Sequence, residues 1–144
     1  MKIYLDNCCF NRPFDDQSQL RILLESEAKL KIQENIRSGA YNLIWSYMLD
    51  YENSKNPFLE RREQILKWQS YSADDIEEDE EIIKTAAIMQ LHGIRKLDAL
   101  HLACAIQAKA DFFLTTDDGI LNKSGEIDNI IVIDPVGFLK EAII

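Results

Sequence analysis

The sequence predicts an α/β fold, a central and mostly parallel sheet covered by helices on both faces. Three observations predict it. Four short runs, Ile3-Leu5, Tyr41-Trp45, Phe112-Leu114 and Ile130-Ile133, are rich in β-branched and aromatic residues and lack polar alternation, as strands buried on both faces do. Stretches of helical periodicity lie between them. No internal repeat, linker or low-complexity segment breaks the alternation, and strands alternating with helices build a parallel sheet through crossover connections. With 144 residues the chain has the length of one domain, so 1–144 is read as a single domain.

The first strand, Ile3 to Leu5, ends abruptly in Asp6. Asn7 to Gln17 is rich in turn formers and reads as a loop. Leu20, Leu23, Leu24, Ala28, Ile32 and Ile36 then follow the 3.6-residue period until Ser38-Gly39 stops the helix. A strand follows at Tyr41-Trp45, and a helix is expected from Phe58 to Ser70 after Asn56-Pro57. Asp74-Asp75 and Glu77 to Glu81 form one acidic block, read as a solvated helix start favoured by the macrodipole. Ile82, Ile83, Ala86, Ala87 and Leu91 continue that helix to His92-Gly93. Leu97 to Ala110 is apolar on most sides and should pack deep in the domain. Strands at 112–114 and 130–133 and a helix from Val136 to the C-terminus complete the pattern.

Composition narrows the function classes. Hydrophobic residues make up 47% and charged residues 28%, the profile of a globular protein. No apolar run approaches the roughly 20 residues of a spanning helix. Asp6 also arrives too early for a secretion signal, so a cytoplasmic protein without a membrane partner is expected. The net charge of −9 repels phosphate at long range, so bulk charge gives no support for nucleic-acid binding. Cys8, Cys9 and Cys104 are odd in number and lack zinc-site spacing; they read as small buried hydrophobes near a turn. Only His92 and His101 are present, and His101, inside an apolar helix, reads as a satisfied core histidine. There is no G-x-x-x-x-G-K phosphate loop.

The acids carry the chemistry. In open parallel sheets ligands bind beyond the carboxyl ends of the strands. Asp6 ends the first strand, Asp50 and Glu52 follow the second, Thr115-Thr116-Asp117-Asp118 ends the third, and Asp98 opens the most apolar helix. Each acid alone could be a turn former or helix cap. Together at one sheet edge they would raise one another's pKa unless a cation sits among them. Oxygen ligands suit a hard divalent ion, Mg²⁺ or Mn²⁺. Such an ion activates water and shields a phosphate, which points to phosphodiester hydrolysis. On a helix Asp50 lies about 200° round from Glu52, so Glu52 is preferred.

Four segments, KIYLDN, Ser46-Tyr-Met-Leu-Asp-Tyr-Glu52, KLDALHLACA and FFLTTDD, in this order resemble the PIN-domain family over nearly the whole chain. These are compact Mg²⁺-dependent ribonucleases that include the toxins of VapC-type toxin-antitoxin pairs. The resemblance implies a three-layer α/β/α sandwich with a central, mostly parallel sheet of four to five strands. It implies Asp6, Glu52, Asp98 and Asp117 as catalytic acids, with Asp6, Asp98 and Asp117 holding the metal and Glu52 orienting the attacking water. Thr115 matches the family's hydroxyl position and is expected to bond a ligand or water. Asn7 stands where the family often has Thr or Ser, and Asp118 is a spare acid. Arg12, in a loop that resembles the R-P-F-D-D loop of one PIN subgroup, is a candidate phosphate contact, the alternative being a loop arginine tied to Asp15 or Asp16.

The expected partners are an RNA substrate, an antitoxin protein and a second copy in a homodimer. The competing reading is a catalytically weak PIN-like module that binds RNA or protein. A haloacid-dehalogenase-like phosphatase would need D-x-D, and residue 8 is Cys.

Overall fold

The computed structural model describes residues 1–143 and contains five parallel strands, β1 (Lys2–Leu5), β2 (Asn42–Ser46), β3 (Ser72–Ile76), β4 (Phe112–Leu114) and β5 (Ile131–Ile133), in the order β3-β2-β1-β4-β5, flanked by helices. β1 lies at the centre, with Ile3 opposite both Leu43 of β2 and Phe112 of β4. β5 pairs with β4. The chain moves outward from β1 through β2 to β3, then returns across the sheet to β4 on the other side of β1. The order therefore reverses beside β1, and such switch points open a crevice at the carboxyl ends of the strands. Asp6 and Asp117 follow the two strands that flank this point.

The unbroken apolar runs have the expected cause. Ile3, Tyr4, Leu5, Leu43, Ile44, Trp45, Phe113 and Leu114 are all 0% exposed, because helices cover both faces. Each such side chain contributes roughly 1.5–3 kcal/mol by burial. Tyr4 stacks on Phe113 at 5.3 Å, and Phe10 meets Trp45 edge to face at 5.5 Å.

Helix α1 (Asn7–Asn11) and a 3-10 turn at Arg12–Phe14 occupy the segment expected as a loop. Asp6 caps α1, accepting from the Asn7 N–H, and this local bond winds a turn-rich sequence into helix. Helix α2 (Leu20–Arg37) ends at Gly39, whose φ of 84° suits glycine, with bonds from Gly39 N to Ile36 O and Ala40 N to Asn35 O. Its leucine stripe is not its buried face. Leu20 is 70% exposed and Leu24 49%, while Ala28, Ile32 and Ile36 are buried together with Glu25, Lys29 and Gln33. Helix α3 (Tyr47–Ser54) follows β2 directly, with Ser46 as its cap.

The helix expected at 58–70 is α4 (Leu59–Leu66) continued by a 3-10 turn, Lys67–Tyr71. The acidic block divides. Asp74 and Asp75 lie in edge strand β3 (Ser72–Ile76), and only Asp79 onward starts helix α5 (Glu80–Leu91), with Asp79 accepting from the Ile82 N–H at 2.8 Å. Charges on an edge strand hinder pairing with another chain, which is why β3 does not read as a strand from hydrophobicity. Helix α6 (Lys96–Gln107) buries Ala99, His101 and Leu102 to Ala105, as expected of the most apolar helix. Helix α7 (Asp118–Leu121) and helix α8 (Pro135–Ile143) complete the chain; Ile144 lies outside the described residues. No helix among the described residues is long and apolar enough to cross a membrane.

Candidate active site

Asp6 is 5% exposed and held from three sides. Its Oδ1 accepts from the Asn7 N–H at 2.8 Å, and its Oδ2 accepts from the Thr115 hydroxyl at 2.8 Å and the Cys8 thiol at 3.5 Å. Its own N–H donates to Leu114 O, extending the β1–β4 ladder by one residue. The fully buried Thr115 also accepts from the Asp117 N–H at 3.1 Å. One hydroxyl thus fixes the two strand ends together. Thr115, expected to bond a ligand or water, bonds Asp6 and Asp117 within the protein.

Asp117 caps α7 through the Gly119 N–H at 2.7 Å. Its other oxygen accepts from Arg95 Nη2 at 2.7 Å, and the Arg95 Nε donates to Asp98 at 3.2 Å. Arg95 immediately precedes α6, and Asp98 lies in the first turn of that helix. Asp98 has a raised pKa because burial disfavours its charge and the negative charges of Asp6 and Asp117 add to the effect; Arg95 opposes it. Asp98 therefore feels the charges of both other aspartates across the crevice.

Glu52 comes from α3 and meets the fourth side. Its Oε1 lies 2.7 Å from His101 Nε2. His101 Nδ1 lies 2.6 Å from the Tyr4 hydroxyl, which lies 2.6 Å from Ser46 Oγ. Burial lowers the His101 pKa, but the Glu52 hydrogen bond and the charges of Asp6, Glu52 and Asp98 outweigh it, and the net shift is upward. As imidazolium, His101 donates to both Tyr4 and Glu52. As neutral imidazole it keeps the proton on Nε2 for Glu52 and accepts from Tyr4, whose oxygen then accepts from Ser46. The chain of bonds is complete in either state.

The core-histidine reading is right about burial and satisfaction, yet it misses that Glu52 supplies the satisfaction. The signal was present in the sequence: Asp98 and His101 are three residues apart on α6, hence on one face.

The remaining candidates lie elsewhere. Asp50 accepts from Trp45 Nε1 at 3.0 Å, which leaves Glu52 as the inward acid of α3. Asp118 is bound by both Nη atoms of Arg21, at 2.9 and 2.8 Å, and this holds its pKa below the usual range. Arg12, expected near a phosphate, is engaged within the protein: its Nε donates to the buried Glu25 and its Nη1 to Asp15, both at 3.1 Å. A carboxylate in the interior needs a cation, and Arg12 is the one that meets Glu25 most closely. Asn7 has a buried side-chain oxygen without a partner among the described residues.

All-oxygen donors from Asp6, Asp98 and Asp117 match a hard divalent ion, and the pKa of Asp98, raised first by burial and then by the charges of Asp6 and Asp117, is one that such an ion would lower. Among the described residues no three acidic, histidine or cysteine side chains are gathered closely enough to enclose an ion as they stand. The Arg95 guanidinium is what meets Asp98 and Asp117.

A chain in the crystal structure of VapBC2 from Rickettsia felis, bound to a DNA fragment from their promoter, shares the fold at a TM-score of 0.56 and 15% identity, covering 92% of this chain and 97% of that one. No curated protein matches in sequence. The family model of the PIN domain matches residues 3–126, a span that contains Asp6, Glu52, Asp98 and Asp117. The chain therefore belongs to the PIN domain family, whose members are generally nucleases and include the toxins of VapC-type pairs.

Proposed function

We propose that this protein is a metal-dependent endoribonuclease that hydrolyses RNA phosphodiester bonds with Mg²⁺ or Mn²⁺, and that it is the toxin of a toxin-antitoxin pair. The observation that supports the reading is that Asp6 and Asp117 follow adjacent strand ends at the switch point, joined through Thr115, and that burial and the charges of these two acids raise the pKa of Asp98. A divalent ion on these aspartates would neutralise charge at the scissile phosphate and make a water more acidic. Thr115 keeps Asp6 and Asp117 in register for that task. Glu52, anchored through one oxygen by His101, would use the other to orient the attacking water and take its proton. His101 would stabilise the negative form of Glu52 that this step needs.

The test is cleavage of a mixed single-stranded RNA pool by the purified protein with Mg²⁺, Mn²⁺ or EDTA, alongside a matching DNA pool. Cleavage that EDTA stops and that favours RNA supports the proposal. A folded protein that cuts nothing with either metal overturns it.

An antitoxin would be expected to place a cationic side chain against the same aspartates, since the carboxylates attract a guanidinium as they attract a metal. Arg95 already occupies part of that position from within the chain. Arg95→Gln should therefore tighten Mn²⁺ binding only by about twofold to fivefold, since exposed ion pairs are weak; calorimetric titration of both proteins measures it. Equal affinities would mean that Arg95 does not compete. The same contact is the observation that favours the second reading, a binding module whose acids are permanently neutralised. Absence of metal binding in both proteins would support that one.

We further place the protein in the cytoplasm, which suits its free thiols. A homodimer is the expected assembly, through the exposed Leu20, Leu23 and Leu24 of α2 or through the helical segment that carries Trp68.

A further inference from the structure

A cavity of about 140 Å³ lies under α2 on a part of the protein whose lining includes none of the site's acids. Lys29, Gln33 and Arg37 enter it from successive turns of α2, and Phe10, Ile65 and Trp68 form its apolar wall. None of its lining residues is acidic, although the chain carries a net charge of −9.

Two donors in this cavity lack partners. Lys29 is 3% exposed and makes no hydrogen bond or ion pair among the described residues; its Nζ sits 5.2 Å from the Phe10 ring centre and 5.6 Å from that of Trp68. Gln33 is 5% exposed, and its Nε2 is buried without an acceptor. Arg37 lies at the rim with its Cζ 4.7 Å from the Trp68 ring centre. Burial lowers the Lys29 pKa to about 7, and the charged neighbour that adds to this lowering is another cation, Arg37. Buried polar groups are normally satisfied, so the buried Gln33 amide N–H₂ without an acceptor, beside the Lys29 amine, indicates one that is supplied from outside. A cavity of about 150 Å³ with an apolar wall accepts a single aromatic ring.

We propose that this cavity is a binding site for a small organic anion, a carboxylate on a flat, single-ring body. The carboxylate accepts from Lys29 Nζ and Gln33 Nε2, and the ring lies against Phe10, Ile65 and Trp68. Arg37 at the rim adds attraction for the incoming anion. The site shares no residue with the aspartate crevice, so it stands whether or not the protein cuts RNA.

Benzoate and its neutral isostere benzamide are the probes, titrated into the full-length ¹⁵N-labelled protein near pH 7. Benzoate should shift the amides of Lys29 to Arg37 and the Trp68 indole with a Kd near about 1 mM, an affinity suited to so few atoms. Benzamide should bind at least about tenfold more weakly, because a charge-assisted bond replaces a neutral one only for the acid. Lys29→Met, whose spectrum should keep its dispersion, should lose the preference for benzoate. Equal binding of the two probes to the wild type, or no shifts with either, overturns the proposal without reference to any variant. Undiminished benzoate affinity in a folded Lys29→Met protein also overturns it.

Discussion

Asp6→Asn should reduce RNA cleavage by about 10²-fold to 10⁴-fold, a loss typical of removing one charge-stabilising group from a catalytic centre. The same protein should remain folded. Asparagine keeps a side-chain oxygen for the Asn7 N–H and is as good a helix cap as aspartate. The Thr115 hydroxyl can rotate to meet either atom of the new amide. What disappears is one negative charge in a crevice where Asp98 already carries a raised pKa partly because of Asp6. The metal-free variant should therefore melt no lower than the wild type. The pairing of these two measurements decides the role of Asp6. A turn acid would show the opposite combination, a lowered melting temperature with activity that tracks the folded fraction.

His101→Ala is expected to destabilise the protein by about 2–4 kcal/mol, as read from urea denaturation near pH 6. Its imidazole is 0% exposed, so truncation leaves a cavity, deprives the Tyr4 hydroxyl of one partner and frees Glu52 to move. The sign of the pH dependence follows from its raised folded-state pKa. The folded protein holds the proton more tightly than the unfolded chain, whose ordinary value is 6.5. The stabilisation linked to this proton is thus fully present below 6.5 and is lost as pH rises through the folded-state value. The difference between wild type and His101→Ala should narrow over that window. A difference that stays constant with pH would show that cavity formation accounts for the whole effect. Cleavage should also fall, since Glu52 loses the contact that fixes its carboxylate.

The sequence alone reveals the frame of the site because the frame depends on short-range chemistry. Ile3 to Leu5 and Phe112 to Leu114 can be read as strands since both their faces are covered, and the acids after them stand out because charge is unexpected at the end of a buried run. The opposite situation hides β3, whose Asp74 and Asp75 are tolerated only on an edge strand. Helix α1 is hidden for a different reason: its five residues have no room for a periodic pattern, and its cap is the same aspartate that marks the site. In α2, charge overrides periodicity. Glu25 and Lys29 lie inside while Leu20 and Leu24 lie outside, because Arg12 reaches across to Glu25 and aromatic rings receive Lys29.

The four acids could be named from the sequence, but their neighbours could not. Arg95 touches Asp117 from 22 residues away, and Tyr4 touches His101 from 97 away. Contacts of that kind follow from the crossover that carries the chain back across the sheet, and no local pattern encodes them.

The two hydrogen bonds of the Thr115 hydroxyl, one donated to Asp6 and one accepted from the Asp117 N–H, have a kinetic consequence. The Asp6 amide extends the central β1–β4 ladder to Leu114 O, the Thr115 amide extends the outer β4–β5 ladder to Ile133 O, and the two residues are joined side chain to side chain. The Asp6 amide should exchange with solvent only when the whole domain opens, hence at the slow limit set by global unfolding. Asp98 belongs to a first helical turn, and its partner Arg95 is an exposed side chain. That half can rearrange within nanoseconds to microseconds without disturbing the sheet. The crevice thus joins an immobile wall to a fast one, and entry of an ion would be timed by the fast wall alone.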